Sequence, residues 1–212
     1  MHGENDSSRF PRLAMVGMHF VGVAIATGLL TAGPVTPRRL ALLACAWVYF
    51  ARVLATSLVF LKRKVGWDEA FQVGPFLLLI QVFLAWLGSR ATEPWGAIDS
   101  VALVLYAVGS YLNTGSELQR MAWKARAENR GHLYTGGLFR LSRHVNYFGD
   151  VVLFSGFAIL TRSPWAVVTP LLMAAMFVFL HIPTLDRYLR ERYGPEYVEW
   201  TKRSKKLVPF VY

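Results

Sequence analysis

Residues 40–61 read LALLACAWVYFARVLATSLVFL, an almost uninterrupted apolar stretch. A transmembrane helix needs about 20 mostly apolar residues, so this stretch predicts a membrane span. It is followed directly by Lys62-Arg63-Lys64, a basic flank typical of the cytosolic end of a span. Arg52 is its only Lys or Arg, and such a charge inside a span either snorkels to the Lys62 end or lines an internal cavity.

Five further apolar runs surround this one, at residues 13–32, 73–87, 97–112, 151–161 and 164–182. Together the runs predict an all-α, polytopic transmembrane helical bundle of about six spans. Residues 186–193 have the pattern of a short C-terminal amphipathic helix that stops at Gly194-Pro195. We divide the chain into N-terminal transmembrane helices, residues 1–112, and a C-terminal half, residues 113–212, with a basic loop, a helical hairpin and a tail.

Composition and charge support the membrane assignment. The chain of 212 residues is 54% hydrophobic and 17% charged, with a net charge of +10. A soluble domain would have about 25% charged residues. With the N-terminus inside, eighteen basic residues face the cytosol: Arg9, Arg12, Lys62, Arg63, Lys64, Arg120, Lys124, Arg126, Arg130, Arg140, Arg143, Arg187, Arg190, Arg192, Lys202, Arg203, Lys205 and Lys206. Four lie in the outer loops: Arg38, Arg39, Arg90 and Arg162. This asymmetry predicts six spans with both termini in the cytosol.

Several classes of function are disfavoured by the sequence. Long apolar runs separate the basic residues, so they do not form one face for nucleic acid. Cys45 is the only cysteine and no H-E-x-x-H pattern occurs, so no metal site is indicated. Gly136-Gly137 lacks the context of a Rossmann fingerprint. Short loops and the lack of a targeting signal favour a bacterial inner membrane over the endoplasmic reticulum.

The polar stretch before the fifth apolar run holds the candidate functional residues. Arg120 and Lys124 are spaced i,i+4, so on a helix they point the same way. Arg140 and Arg143 add two cations, and such groups suit phosphate or carboxylate oxygens. A solvated basic loop at the membrane surface is the alternative. The interleaved Asn, Tyr, Gly, Asp and His residues favour a cytosol-facing pocket for an anionic cofactor instead.

Three elements of this half resemble a known superfamily. Residues 143–150 read RHVNYFGD, similar to the R-H-P-N-Y-x-G-[DE] motif of membrane steroid 5-alpha-reductase-like proteins and sterol reductases (DUF1295-like). Residues 115–124 resemble their S-N-x-Q-K-x-x-F-R element, and Tyr193-Gly194 with residues 208–212 resembles their K-Y-G … P-x-I-Y ending. Isoprenylcysteine carboxyl methyltransferases share this scaffold. This chain departs from the family's motifs at some positions; for example, Val145 stands where the motif has Pro. These differences weaken the implication of a sterol substrate more than the implication of the cofactor.

The resemblance implies a cofactor, a reaction and a set of site residues. NADPH and reduction of a C=C bond in a steroid- or isoprenoid-like lipid are favoured by Asn146 and by Gly149-Asp150; S-adenosylmethionine and methyl transfer are the alternative. The substrate then enters from the bilayer. A non-catalytic membrane scaffold is a third alternative. The implied cofactor-binding residues are Gln119, Arg120, Lys124, Arg140, Arg143, Asn146, Tyr147, Asp150, Asp186 and Tyr197.

Reduction also requires an acid near the hydride acceptor. Glu69, Tyr147 and His144 are the candidates for this catalytic role. The alternative for Glu69 is a loop carboxylate neutralised by the basic residues 62–64.

Overall fold

The computed structural model describes residues 8–61 and 63–212, so the predictions that involve Lys62 lie outside the described residues. Every regular element in the described part of the chain is helical, which confirms the predicted all-α fold. The main helices are α1 Arg9–Thr31, α2 Pro37–Ala55, α3 Trp67–Ser89, α4 Ala97–Ser110, α5 Ser116–Lys124, α6 Val145–Leu160, α7 Val168–Met176, α8 Ile182–Tyr193 and α9 Pro195–Arg203. Three π-helical turns, Thr56–Phe60, Tyr111–Gly115 and Phe177–His181, follow α2, α4 and α7.

Five continuous helical runs are long and apolar enough to cross a membrane: Arg9–Thr31, Pro37–Phe60, Trp67–Ser89, Ala97–Lys124 and Pro164–Tyr193. Val145–Leu160 is a shorter apolar helix at the position of the fifth predicted span. The chain is therefore a multi-pass membrane protein by length and composition of its helices. The cytosolic location of the two termini stays a prediction.

The predicted C-terminal amphipathic helix is present and ends before Gly194, but it begins earlier than the sequence indicated. Residues 186–193 lie in α8, which begins at Ile182 and is continuous with the helical run from Pro164 through the turn Phe177–His181. Gly194 then adopts φ +47°, a backbone conformation that favours glycine, and the chain turns into α9. The helix α9 was not predicted. Pro195 at its first position lacks an N–H that the helix would leave unpaired in any case.

The described residues form two compact units. The first unit consists of the chain up to Leu103 together with Phe157–Ala166, and the second consists of Val104–Gly156 together with Val167–Tyr212. The division of the chain at residues 112 and 113 stays a prediction.

A buried ionic cluster joins distant segments of the first unit. Asp99, in the first turn of α4, is fully buried and accepts hydrogen bonds from Arg38 Nε at 3.0 Å and Arg162 Nη2 at 2.6 Å. It also accepts the backbone N–H of Gly96 at 2.8 Å. Arg38 is 3% exposed and donates further to the carbonyl oxygens of Glu93 and Pro94. The carboxylate therefore compensates two cations that sequence reasoning assigned only to outer loops.

Helices α4 and α6 cross closely within the second unit, and Gly109 makes this approach possible. A Cβ at Gly109 would lie 2.3 Å from Leu153 N and 2.5 Å from Gly149 O, which are backbone atoms that cannot rotate away. We expect Gly109→Ala to lower the free energy of unfolding by about 1–3 kcal/mol or more, as overpacked core sites do. Thermal unfolding in detergent measures this. Gly28→Ala is the matched control, since open space surrounds that position; equal effects of the two substitutions would contradict the prediction.

Candidate functional site

The R-H-V-N-Y segment is fixed to the C-terminal tail by main-chain and side-chain hydrogen bonds. The backbone N–H of Arg143 donates to Lys205 O at 2.8 Å, and that of His144 donates to Lys206 O at 3.1 Å. Arg143 Nη1 donates to Ser204 O at 2.6 Å. The R-H-V-N-Y segment is thus adjacent to tail residues 204–206, which lie between the two parts of the C-terminal resemblance.

A buried chain of polar side chains lies behind this junction. His144 is 1% exposed, and its Nε2 lies 2.8 Å from Asp186 Oδ1. Tyr197 is also buried, and its hydroxyl interacts electrostatically with the Asp186 carboxylate. Burial raises the pKa of Tyr197, and the neighbouring Asp186 carboxylate raises it further, so the phenol keeps its proton at neutral pH. Asp186 therefore holds the His144 ring by a hydrogen bond and interacts with the buried Tyr197 phenol.

An aromatic stack extends from His144. The ring of Tyr147 lies parallel to that of His144, with centroids 5.6 Å apart, and on its other side the ring of Phe177 stacks at 4.5 Å. Phe177 begins the π-helical turn Phe177–His181. Such turns change the direction of side chains within a helix and are frequent at functional sites. The half-buried Tyr147 is consequently fixed in its ring plane between two neighbours.

A cleft of about 420 Å³ opens beside Asp186. It is lined by Arg143, Pro183, Asp186, Arg187, Arg190, Tyr197, Thr201 and Lys206. Four of these residues are cationic, and the one carboxylate is engaged by His144 and Tyr197. The volume is within the range of about 300–1,000 Å³ that is usual for small-molecule sites. Its donor set suits an anion with several oxygens.

A second polar cluster joins α5 to the start of α6. Asn146 Nδ2 donates to Glu117 Oε1 at 3.0 Å, and the other oxygen of Glu117 forms an ion pair with Arg120. Asn113 Nδ2 donates to the carbonyl oxygen of Asn146 at 3.0 Å. Gln119 Oε1 accepts the backbone N–H of Leu138 at 2.9 Å. Arg120 and Asn146, both predicted to bind the cofactor, are thus joined through Glu117, which the sequence analysis did not select.

The remaining predicted residues are dispersed. Lys124 Nζ donates to the Tyr193 hydroxyl at 2.8 Å, and Arg140 is exposed at the end of a short 3₁₀ helix. Asp150 lies one turn after Asn146 on α6 and is half-buried. Glu69 belongs to the first unit, where Arg63 forms two hydrogen bonds to its carboxylate at 2.5 and 2.6 Å. This pairing with a flanking cation is the alternative role that the sequence left open for Glu69.

Of the predicted residues, the cleft brings together Arg143, Asp186 and Tyr197. Sequence reasoning missed the cleft's other three cations, Arg187, Arg190 and Lys206, which it treated only as markers of topology. The sequence did carry a signal for Arg190. It lies four residues after Asp186, so on a helix the two side chains share a face. Within residues 8–61 and 63–212, no three His, Cys, Asp or Glu side chains are grouped to hold a metal ion.

Glu196 connects α9 to the segment that precedes the R-H-V-N-Y residues. Its Oε1 lies 2.7 Å from His132 Nδ1, and its Oε2 accepts the backbone N–H of Leu133 at 2.8 Å. The Leu133 N–H is the first cause of a pKa below the usual glutamate value, and His132 is the second. Each favours the charged carboxylate.

This connection predicts a local pH dependence. Since the pKa of Glu196 is lowered in the folded protein, the stability it contributes is fully present above the unfolded-state pKa of about 4.3 and is lost as pH falls through the folded-state value. We expect the Leu133 amide to lose protection against hydrogen exchange below about pH 4.3. Exchange measured by mass spectrometry tests this. In Glu196→Gln the exchange of the Leu133 amide should follow only its intrinsic pH dependence. If the wild-type protein and this variant gave the same dependence of exchange on pH, the prediction would be refuted.

Comparisons with known proteins give the same superfamily as the sequence motifs. The model of the family described as "Protein of unknown function (DUF1295)" matches residues 70–204. The chain is 26% identical over 164 residues to a probable protein-S-isoprenylcysteine O-methyltransferase of Oryza sativa subsp. indica, covering 75% of this chain and 82% of that protein.

Two further relatives match over shorter segments. The chain is 33% identical over 112 residues to the probable O-methyltransferase ustE of Ustilaginoidea virens, covering 51% of this chain. It is 30% identical over 114 residues to the steroid 5-alpha-reductase DET2 of Arabidopsis thaliana, covering 53% of this chain. It spans only 38% of the length of the first of these proteins and 41% of the second. Both chemistries that the motifs suggested therefore occur among proteins similar to this chain.

Proposed function

Since this chain belongs to the DUF1295 family, we propose that it is a membrane-embedded enzyme that uses NADPH to reduce a C=C bond of a lipophilic, steroid- or isoprenoid-like substrate. The support from sequence similarity is the match to steroid 5-alpha-reductase DET2 over 53% of the chain. The same similarity extends to O-methyltransferases, so the choice between the two reactions rests on the site.

The observation that carries the proposal is the cluster of four cations around the cleft. Guanidinium and ammonium groups form their strongest hydrogen bonds with phosphate and carboxylate oxygens. NADPH carries three phosphate groups, whereas S-adenosylmethionine carries a positive sulfonium and only one carboxylate. Arg143, Arg187, Arg190 and Lys206 line one cleft, and its carboxylate, Asp186, is already engaged by His144 and Tyr197. Such a cleft favours the polyanion.

Each part of the site then has a defined role. NADPH supplies a hydride when bound. The cleft residues bind its phosphates. The hydrogen bond between Asp186 and His144 fixes the position of the cleft relative to the aromatic stack. We propose Tyr147 as the proton donor rather than Glu69, because Glu69 is paired with Arg63. The ring of Tyr147 is held between His144 and Phe177, which fixes the plane of its hydroxyl.

A methyl transfer from S-adenosylmethionine is the second candidate. It is favoured by the relative from rice, a probable protein-S-isoprenylcysteine O-methyltransferase that aligns with 75% of this chain. In this alternative a carboxylate of a lipid or of a prenylated cysteine is the methyl acceptor. The cationic cleft would then bind the acceptor's carboxylate rather than the cofactor.

Ligand-induced stabilisation distinguishes the two cofactors. A ligand present at about 100 times its dissociation constant stabilises the folded protein by roughly 2.7 kcal/mol. We expect NADPH to raise the midpoint of thermal unfolding in mild detergent, NADH to raise it less, and S-adenosylmethionine to leave it unchanged. Stabilisation by S-adenosylmethionine alone would overturn the reductase and establish the second candidate.

Variants at the cleft make this test specific. A hydrogen bond to a charged group contributes about 1.5–3 kcal/mol, so Arg190→Ala should weaken NADPH binding roughly 10- to 150-fold. Lys202→Ala is the matched control, since Lys202 is a nearby tail cation that pairs with Glu199 and does not line the cleft. Equal affinity in the two variants would locate the phosphates elsewhere.

A further inference from the structure

The first unit contains a polar pair whose hydrogen bonding is incomplete. His19 lies near the middle of α1 and Gln81 lies within α3, and both side chains are fully buried. Both helices are long and apolar enough to span a membrane. Neither residue has a role in the cofactor cleft, whose lining residues all belong to the second unit.

The contacts of Gln81 fix the orientation of both groups. One Gln81 side-chain atom lies 3.0 Å from the carbonyl oxygen of Ala46 in α2. A carbonyl oxygen only accepts, so this atom is the amide nitrogen. The same nitrogen lies 3.2 Å from His19 Nε2, and it donates its second proton there. Because His19 Nε2 accepts, the imidazole is neutral and carries its proton on Nδ1.

Two buried polar atoms are left over by this arrangement. His19 Nδ1, a donor, and Gln81 Oε1, an acceptor, have no hydrogen-bond partner among the described residues. Within a bilayer no bulk water is available to satisfy them, so each costs free energy unless a guest supplies the missing bond. The pair lacks one acceptor and one donor, and a hydroxyl group offers both.

The surroundings favour a neutral guest. The rings of Tyr49 and Phe50 are T-shaped relative to the His19 imidazole, at centroid distances of 5.3 and 5.4 Å. Both rings belong to α2, so three helices meet at this point. No carboxylate is paired with His19 or Gln81 among the described residues, and His19 is already neutral. A cationic guest would therefore lack compensation.

We propose that His19 and Gln81 form an intramembrane binding site for a hydroxyl group, carried either by a water molecule or by a lipophilic alcohol. The group accepts the proton of His19 Nδ1 and donates to Gln81 Oε1. The site links α1, α2 and α3 through its polar atoms and does not depend on which cofactor the second unit binds.

Nuclear magnetic resonance of the full chain in lipid nanodiscs, with ¹⁵N-labelled histidine, tests this directly. The His19 signals are those that disappear in His19→Phe. In the wild type we expect a protonated Nδ1 and an unprotonated Nε2. A cross-peak between the Nδ1 proton and water would identify a bound water.

Titration with 1-dodecanol, with dodecane as the control lacking a hydroxyl, identifies the other source. A shift of the His19 Nδ1 resonance by dodecanol alone, lost in Gln81→Met but retained in Thr27→Val, would assign the site to a lipophilic alcohol. Thr27 is the control because its hydroxyl already binds Val23 O on α1. A protonated Nε2, or an Nδ1 proton that contacts neither water nor dodecanol, would overturn the proposal.

Discussion

Replacing Asp186 by alanine is expected to destabilise the protein and to abolish NADPH binding. The carboxylate accepts a hydrogen bond from His144 Nε2 and interacts with the Tyr197 phenol, and both residues are at most 2% exposed. A buried donor left without its acceptor costs about 1–3 kcal/mol, so the lost His144 hydrogen bond predicts a decrease of about 1–3 kcal/mol in the free energy of unfolding. Thermal unfolding with and without NADPH measures both effects.

Two controls separate the hydrogen bonds of Asp186 from its charge. Asp186→Asn keeps an acceptor oxygen and should recover much of the stability. Glu191→Ala removes an exposed acid from the same helix and should leave both stability and NADPH binding nearly unchanged. If Asp186→Ala is no more destabilising than Glu191→Ala, the polar chain through His144 and Tyr197 does not support the site.

The helical fold was predictable because a membrane permits few alternatives. In the bilayer every backbone N–H and C=O must be satisfied within the segment, so apolar runs such as 40–61 become helices. Hydropathy does not locate their ends. The helix that contains Asn113 continues to Lys124 although its residues become polar, and α3 begins at Trp67, where Asp68 and Glu69 favour the start of a helix.

The site was predictable only in part. The resemblance identified Arg143, Asp186 and Tyr197, which the structure brings to one cleft. The hydrogen bond between His144 and Asp186 joins residues 42 positions apart, and no local pattern encodes it. Glu117 resembles an ordinary i,i+3 surface partner of Arg120 in sequence; only the structure shows that its other oxygen accepts from Asn146.

The largest loss of stability in the first unit is expected for Asp99→Ala. Asp99 is fully buried and compensates Arg38, whose side chain is 4% exposed, and Arg162. Removing one partner of a buried ion pair costs about 3–5 kcal/mol, because the remaining charge has no compensation. Thermal unfolding of the purified variant in detergent measures the effect, and poor accumulation in the membrane would accompany it.

Glu93→Ala provides the contrast that makes this prediction decisive. Glu93 approaches the same Arg38 at 3.8 Å, but its side chain is 56% exposed, so water replaces it and the expected cost is about 0–1 kcal/mol. The backbone carbonyl of Glu93, which also binds Arg38, is unchanged in this variant. Each substitution thus removes one carboxylate that lies near the Arg38 guanidinium. The two carboxylates differ mainly in how deeply they are buried. Similar losses for both would mean that Asp99 acts through its charge at a distance and not through its buried hydrogen bonds.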